Sequence, residues 1–170
     1  MQSVNELTTM KGMVLDRLAW ARSFTQGLIG SLSDDQLIVR AGGCGNHALW
    51  VMGHLAVSED QLVAVTTGRP PKLSDSDSRL FGGGSQPSDQ ADDYPLRDEL
   101  LSTMATTRQA TVAWVESLDD DEAAAPVPDA LKPFAPNAIS LAFTIVAHEL
   151  FHTGQVATVR AVLGLTRLHV

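Results

Sequence analysis

Apolar residues recur at helical intervals in four long segments of the chain, and no segment alternates as a strand would. In the first segment the spacings of three, four and seven place these residues on one buried helix face: Leu7, Met10, Val14, Leu18, Ala21 and Leu28. The third segment carries an inward stripe of the same kind: Leu100, Met104, Thr107, Thr111, Trp114 and Leu118. This periodicity predicts an all-α fold.

Residues at the segment ends predict where the helices begin and end. Asn46, after the glycine-rich AGGCGN, is the expected N-cap of the second helix, and Gly68 is its expected end. The third helix is expected to begin near Pro95, since proline is favoured at the first helical position. The last helix should start at Asn137 and end before Gly164. It is apolar on nearly every side, so we expect it to be the most buried of the four.

A long connection separates the second and third helices. Residues 67–93 are rich in Gly, Ser, Pro and Asp and show neither a helical nor a strand period. A connection of this length indicates a crossover between parallel neighbouring helices, a loop that closes over a site, or both, with Leu80 and Phe81 available to dock it. A second loop follows the third helix. We therefore predict a four-helix bundle with a long crossover between helices two and three, in one domain over residues 1–170.

Composition restricts the kinds of binding partner and the cellular compartment that we expect for this protein. A chain of 170 residues with 44% hydrophobic and 19% charged residues suits a single globular domain. Its net charge of −8 repels phosphate backbones, which disfavours nucleic acid as a partner. No signal pattern and no membrane-length apolar run is present, so we predict a cytoplasmic protein without membrane attachment. The single cysteine, Cys44, excludes an internal disulfide and lacks an obvious base that would make it a nucleophile.

The last helix carries the strongest candidate chemistry, in the string His148-Glu149-Leu150-Phe151-His152. An i, i+4 spacing places both imidazoles on one side of a helix. They belong to a polar stripe on an otherwise apolar surface, formed by Thr144, His148, His152 and Gln155. Buried polar groups need partners, so something must face this stripe.

His54 is the candidate for that role, because it lies within the apolar LWVMGHLAV of the second helix. Two imidazoles from one helix and a third from a facing helix suit a divalent metal inside a bundle. The alternative is that the three are core histidines satisfied by hydrogen bonds. An i, i+4 pair with a third buried histidine favours the metal site.

The HExxH string is also typical of zinc proteases, but the rest of the sequence disfavours that class. A zincin needs a third ligand downstream, and no Asp or Glu follows Glu149. Gln155 and Thr158 stand where the extended protease pattern has Gly and His, and His169 lies at the terminus. Glu149 is then a flanking residue or a hydrogen-bond partner of His152.

Three segments together resemble the DinB-like superfamily: NHALWVMGHLAVSEDQLVAVTTGRP, DDYPLRDELLSTM and HELFHTGQV. The resemblance implies an up-down-down-up four-helix bundle, often homodimeric, with a metal triad of His54, His148 and His152. The implied ion is nickel or zinc in the first place, with iron or manganese as other divalent choices. Related proteins are metal-dependent hydrolases or transferases that use low-molecular-weight thiols such as bacillithiol or mycothiol.

Three neutral imidazoles leave a divalent ion with open positions, which suits hydrolysis or thiol transfer on a small molecule. The other hypothesis is a non-catalytic bundle with a structural ion. Three more residues each have two possible roles. His47 could line the pocket mouth or face solvent, Ser58 could orient a ligand or pack between helices, and Arg79 could reach an anionic substrate or remain solvated. The last helix has more apolar surface than three neighbours can cover, which also favours a homodimer.

Overall fold

The computed structural model describes residues 3–43 and 45–166, so Cys44 and His169 lie outside the described part. Its helices are α1 (Ser3–Gly30), α2 (Ala48–Thr67), α3 (Asp75–Phe81), α4 (Arg97–Ser117), α5 (Asp120–Ala124) and α6 (Ala138–Val162). Short 3-10 turns occur at Asp34–Gln36, Ala41–Gly43, Ala91–Asp93 and Asp129–Leu131. No strand occurs among the described residues, where the β-type pairing is the isolated bridge between Pro126 and Asn137. The all-α prediction is confirmed.

The four long helices pack in two main pairs. α1 packs most extensively against α6, and α2 packs most extensively against α4. Further contacts join α2 to α6 and α1 to α4. The contact between α2 and α6 brings together the two helices that carry the three candidate histidines. None of the helices in the described ranges combines the length and hydropathy that a membrane crossing requires.

The apolar periodicity predicted the buried face of α4 correctly and that of α1 in part. All six residues of the α4 stripe, Leu100 through Leu118, are buried. On α1, four of the six are buried (Val14, Leu18, Ala21 and Leu28) and Leu7 is half-buried, but Met10 is exposed. Its neighbours at positions 8, 9, 12 and 13 are exposed as well, so the early turns of α1 have too little covering structure to bury it.

Three predicted helix starts shift by one or two residues. The N-cap of α2 is His47 rather than Asn46, because the His47 Nδ1 atom accepts a hydrogen bond from the Trp50 amide at 3.1 Å. α4 begins at Arg97, two residues after Pro95. α6 begins at Ala138, one residue after the predicted start at Asn137, which is its N-cap because its side chain accepts from the Ser140 amide at 3.0 Å.

The crossover contains regular structure that its composition did not predict. Helix α3 begins with a capping box, in which the Ser74 hydroxyl accepts from the Asp77 amide and the Asp77 carboxylate accepts from the Ser74 amide. It ends at Phe81, which is buried. The second loop likewise contains α5. Helices of seven and five residues are too short for a hydrophobic period to appear.

The most buried long helix is α2, which corrects the expectation for α6. Fourteen of the 20 residues of α2 are buried, against 12 of the 25 residues of α6. The reason is that α2 is covered by the crossover in addition to α4 and α6, whereas one side of α6 has no such cover. Phe151 of α6 is accordingly 64% exposed.

Candidate metal centre

The three predicted ligands come together where α2 meets α6. The Nε2 atom of His148 lies 3.3 Å from Nε2 of His54 and 3.1 Å from Nε2 of His152. His54 and His152 are each 6% exposed, and His148 is half-buried. Residues separated by more than 90 positions in the chain thus form one compact cluster of ring nitrogens.

The outer nitrogens of two rings determine which atoms face inward. The Nδ1–H of His54 donates to the carbonyl oxygen of Phe81 at 2.6 Å. The Nδ1–H of His152 donates to Oε1 of Gln155 at 3.0 Å, and that oxygen also accepts from Asn46 at 3.1 Å. A neutral imidazole has one N–H, so Nε2 of His54 and of His152 each present a lone pair to the cluster.

This arrangement of donors fits a cation. The two lone pairs both face His148, whose single proton could satisfy only one of them, and the Ser58 hydroxyl reaches Nε2 of His54 only at a long 3.4 Å. Nitrogen ligands about 2.0–2.1 Å from a zinc-like ion would be separated by roughly 3.0–3.4 Å, which brackets the two Nε2–Nε2 distances. The three ligand atoms lie within 4.8 Å of one another, close enough to share one ion.

Burial keeps the three imidazoles uncharged near neutral pH. It lowers the pKa of His148 to about 4, assisted by the charge of His54 and opposed by that of Glu149. It also lowers the pKa of His152 to about 4, with His148 and His54 acting in the same direction. Burial lowers the pKa of His54 as well, against its bond to the Phe81 carbonyl. Neutral rings are the form that binds a metal.

Aromatic and hydroxyl groups surround His54. The indole of Trp50 stacks on its imidazole with ring centroids 4.4 Å apart and an angle of 12°. The Ser58 hydroxyl lies 3.4 Å from Nε2 of His54, so this residue borders the cluster instead of serving only to pack two helices.

Three other residues singled out in the sequence lie outside the cluster. His47 is fully buried, which contradicts both of its expected placements, because its second ring nitrogen bonds the Ser88 carbonyl at 2.9 Å in the crossover. Thr144 donates to the carbonyls of Phe134 and Ser140, and it does not join the histidines. Arg79 is exposed in the last turn of α3.

Glu149 belongs to a buried group of four charges that the sequence analysis missed. We call this group the charge quartet: Arg22 of α1, Glu59 of α2, Arg108 of α4 and Glu149 of α6. Glu149 pairs with Arg22 at 2.8 Å and also with Arg108, and Glu59 pairs with the same two arginines at 2.8 Å each. All four residues are buried. The sequence signal for the quartet was the presence of charged residues in otherwise apolar helix segments, such as Glu59 in α2.

The quartet gives Glu149 a role different from that of a protease glutamate. Both of its oxygens are engaged by guanidinium groups, Oε1 by Arg22 and Oε2 by Arg108. A general base must be within reach of a bound water and free to take its proton. The pairing therefore adds a structural argument against a zincin mechanism.

Comparison with known proteins identifies a shared fold and, separately, the family of the chain. The protein resembles the crystal structure of a conserved protein from Enterococcus faecalis, with a TM-score of 0.68 and 13% identity over 90% of this chain and 96% of that chain. This likeness concerns the fold. No curated protein sequence matches the chain significantly. The family model of the DinB superfamily matches residues 17–156, which include all three clustered histidines. The chain belongs to the DinB superfamily.

Proposed function

We propose that this protein is a divalent-metal-dependent enzyme that acts on a small molecule, with His54, His148 and His152 as the metal ligands. The observation that carries the proposal is the convergence of three Nε2 atoms, at least two of them with lone pairs directed inward. Membership of the DinB superfamily supports it.

The chain's own groups prepare the site for such an ion. Phe81 and Gln155 hold the outer nitrogens of two ligands, which directs their inner nitrogens to one point. His148 is only half-buried, which supports access of solvent to that point. When bound, a divalent ion held by three neutral imidazoles supplies a Lewis acid for hydrolysis or for stabilising a thiolate in thiol transfer.

Nickel and zinc are the ions we propose first, with iron and manganese as further candidates. Imidazole nitrogen suits several first-row metals, and the ion that occupies a given site depends on metal availability as well as on ligand type and geometry. Thr144 is turned away and Glu149 is held by arginines, so neither oxygen-bearing side chain competes with the imidazoles.

Metal analysis of protein without an affinity tag tests this assignment. We expect about one divalent ion per chain in the wild type and loss of that ion in His54→Ala. Gln109→Ala is the control, because it changes an exposed residue of α4 that carries none of the proposed ligands. Full metal occupancy in His54→Ala would overturn the role of His54.

The alternative function, a non-catalytic bundle with a structural ion, makes a different prediction. A structural site is closed by protein ligands, whereas a catalytic site keeps an open position. A crystal structure of the metal-loaded protein with water or an added thiol on the ion would favour catalysis. Assays of thiol transfer and of hydrolysis with the retained metal would then separate the two reactions.

We further propose that the long helices form an up-down-down-up bundle within one domain. Lys11 of α1 donates to the carbonyl of Leu118, just past α4, and Arg97 at the start of α4 donates to that of Leu32, which supports antiparallel packing of α1 and α4. Contacts of residue 22 with 149 and of 25 with 153 support a parallel α1 and α6. The exposed apolar side of α6 supports a homodimer.

A further inference from the structure

We propose that the crossover helix α3 is part of the metal centre, with Gly53 and the backbone carbonyl of Phe81 as the positioning groups for His54. This inference rests on the proposed metal site and specifies how one ligand is held there. Gly53 has no side chain and so leaves room on α2 for the Phe81 ring. The backbone carbonyl of Phe81 in turn holds His54, the residue after Gly53.

Gly53 provides the space for Phe81. A Cβ atom placed on Gly53 would lie 2.2–2.5 Å from three carbon atoms of the Phe81 ring, well inside van der Waals contact. Phe81 itself is only 2% exposed, so its ring cannot swing aside into solvent without uncovering apolar surface. Any side chain at position 53 must therefore displace the end of α3.

The end of α3 is where the His54 contact is made. With its ring against Gly53, Phe81 brings its carbonyl oxygen to 2.6 Å from Nδ1 of His54. A carbonyl can only accept, so the imidazole proton is held on Nδ1 and Nε2 is left as a ligand atom. The side chain of Phe81 thus acts on the metal site through its own main chain.

One face of the His54 ring is tied to the same segment through Trp50. Trp50 stacks on the imidazole, and its indole N–H lies 3.2 Å from the Leu80 carbonyl and 3.1 Å from the Ser85 hydroxyl. The crossover therefore orients His54 both directly, through Phe81, and indirectly, through Trp50. His148 and His152 need no comparable device to stay together, because one turn of α6 sets their spacing.

The proton position of His54 is the first test, made by long-range ¹H–¹⁵N NMR on the metal-free protein. We expect the neutral ring to carry its proton on Nδ1. A ring that carries it on Nε2, or that exchanges equally between the two forms, would overturn the inference. This measurement does not require the protein to bind a metal.

The second test is Gly53→Ala, with zinc affinity measured by competition against a chromophoric chelator. Loss of groups that orient a metal ligand typically weakens binding by about 10–100-fold, and we expect a loss of that size. Gly12→Ala in α1 is the control, because it also replaces a helical glycine but its added Cβ meets nothing within 4 Å. Wild-type affinity in both variants would overturn the inference.

The double variant Gly53→Ala with Phe81→Ala separates positioning from a general loss of folding. The added methyl group then no longer meets the Phe81 ring, and the backbone carbonyl remains, so we expect zinc affinity and the Nδ1–H form to recover in part relative to Gly53→Ala alone. Recovery should stay below the wild type, because the ring no longer holds the end of α3 against Gly53. Failure to recover either property in a folded double variant would overturn the inference.

The outcomes also distinguish this inference from the metal site on which it rests. If the wild type binds no divalent ion, the proposed function fails, and the proton position of His54 still decides whether Phe81 holds it. If the wild type binds zinc and Gly53→Ala binds it equally well, the metal site stands and only the role of the crossover fails.

Discussion

At the scale of single residues, the charge quartet contains most of the buried Arg, Asp and Glu side chains in the described ranges. Each carboxylate meets both guanidinium groups, and each long helix contributes one of the four residues. Taking charges out of water is costly, and the cost is offset only while every partner is present. The quartet therefore fixes the positions of α1, α2, α4 and α6 relative to one another, next to His148.

Glu149→Gln should destabilise the protein strongly. The substitution keeps the shape of the side chain but leaves two buried arginines with one carboxylate between them, which typically costs about 3–5 kcal/mol. Urea unfolding of the metal-free protein measures the change in the free energy of unfolding. Glu116→Gln, at an exposed position of α4, is the control and should change it by less than about 0.5 kcal/mol.

The same variant distinguishes the two interpretations of the HExxH string. A protease glutamate could be replaced by glutamine with loss of peptide hydrolysis and little loss of stability. A stable Glu149→Gln protein would contradict the structural role that we assign to the quartet.

At the scale of elements, the crossover behaves as a docked segment and not as a free loop. Asp60 of α2 is buried and holds its beginning, since Oδ2 accepts from the amides of Lys72 and Leu73 at 2.7 and 2.9 Å. Oδ1 pairs with Arg69 at 2.7 Å. At the far end of the segment, His47 bonds the Ser88 carbonyl. Contacts at both ends thus hold α3 against α2.

Asp60→Asn should loosen the start of the crossover. The amide offers one carbonyl oxygen in place of two charged ones, and hydrogen bonds to charged groups contribute about 1.5–3 kcal/mol each. We expect faster hydrogen exchange at the amides of Lys72 and Leu73, measured by NMR or mass spectrometry. Asp75→Asn, an exposed residue at the start of α3, is the control.

Hydrogen exchange in the other helices shows whether the effect of Asp60→Asn is confined to the crossover. If protection is lost equally in α1 and α6, Asp60 supports the whole fold and not the crossover. If nothing changes, the segment is held by its other contacts, at Phe81 and His47.

At the scale of the whole molecule, α6 has one apolar side that no described element covers. Phe151 is 64% exposed and Val162 is 61% exposed. Their positions differ by eleven, about three helical turns, so both side chains lie on the same side of α6. Phe143 of the same helix is 36% exposed. Exposed apolar surface of this kind marks protein interfaces. We propose that a second copy of the chain packs against this side of α6.

Phe151→Asp should convert a dimer into a monomer. Sedimentation of the wild type at micromolar concentration is expected to give about twice the chain mass of 18.2 kDa, and the variant should give the single-chain mass. Phe134→Asp is the control, because it places the same charge at another exposed phenylalanine, outside α6.

Two results would contradict this assignment. A wild type that sediments only as a monomer removes the dimer. A dimer that survives Phe151→Asp but dissociates in Phe134→Asp places the interface elsewhere on the surface.

The local pattern of the sequence was sufficient for the features that depend on nearby residues. Helical periods predicted the buried stripe of α4, and Asn137 marked the start of α6, because capping and face formation involve residues within a few positions. The pairing of His148 with His152 follows from the helix repeat in the same way. The local pattern failed for α3, where one capping box and two apolar residues were too little to show a period.

The tertiary structure alone decided which of these features meet. It brought His54 to the α6 pair across 94 residues and joined Glu149 to Arg22 across 127. It also brought the Phe81 carbonyl, which no side-chain pattern encodes, to the outer nitrogen of His54. The physical reason is that a helix period specifies which face of a segment is buried, whereas the partner of that face depends on packing among helices distant in the chain.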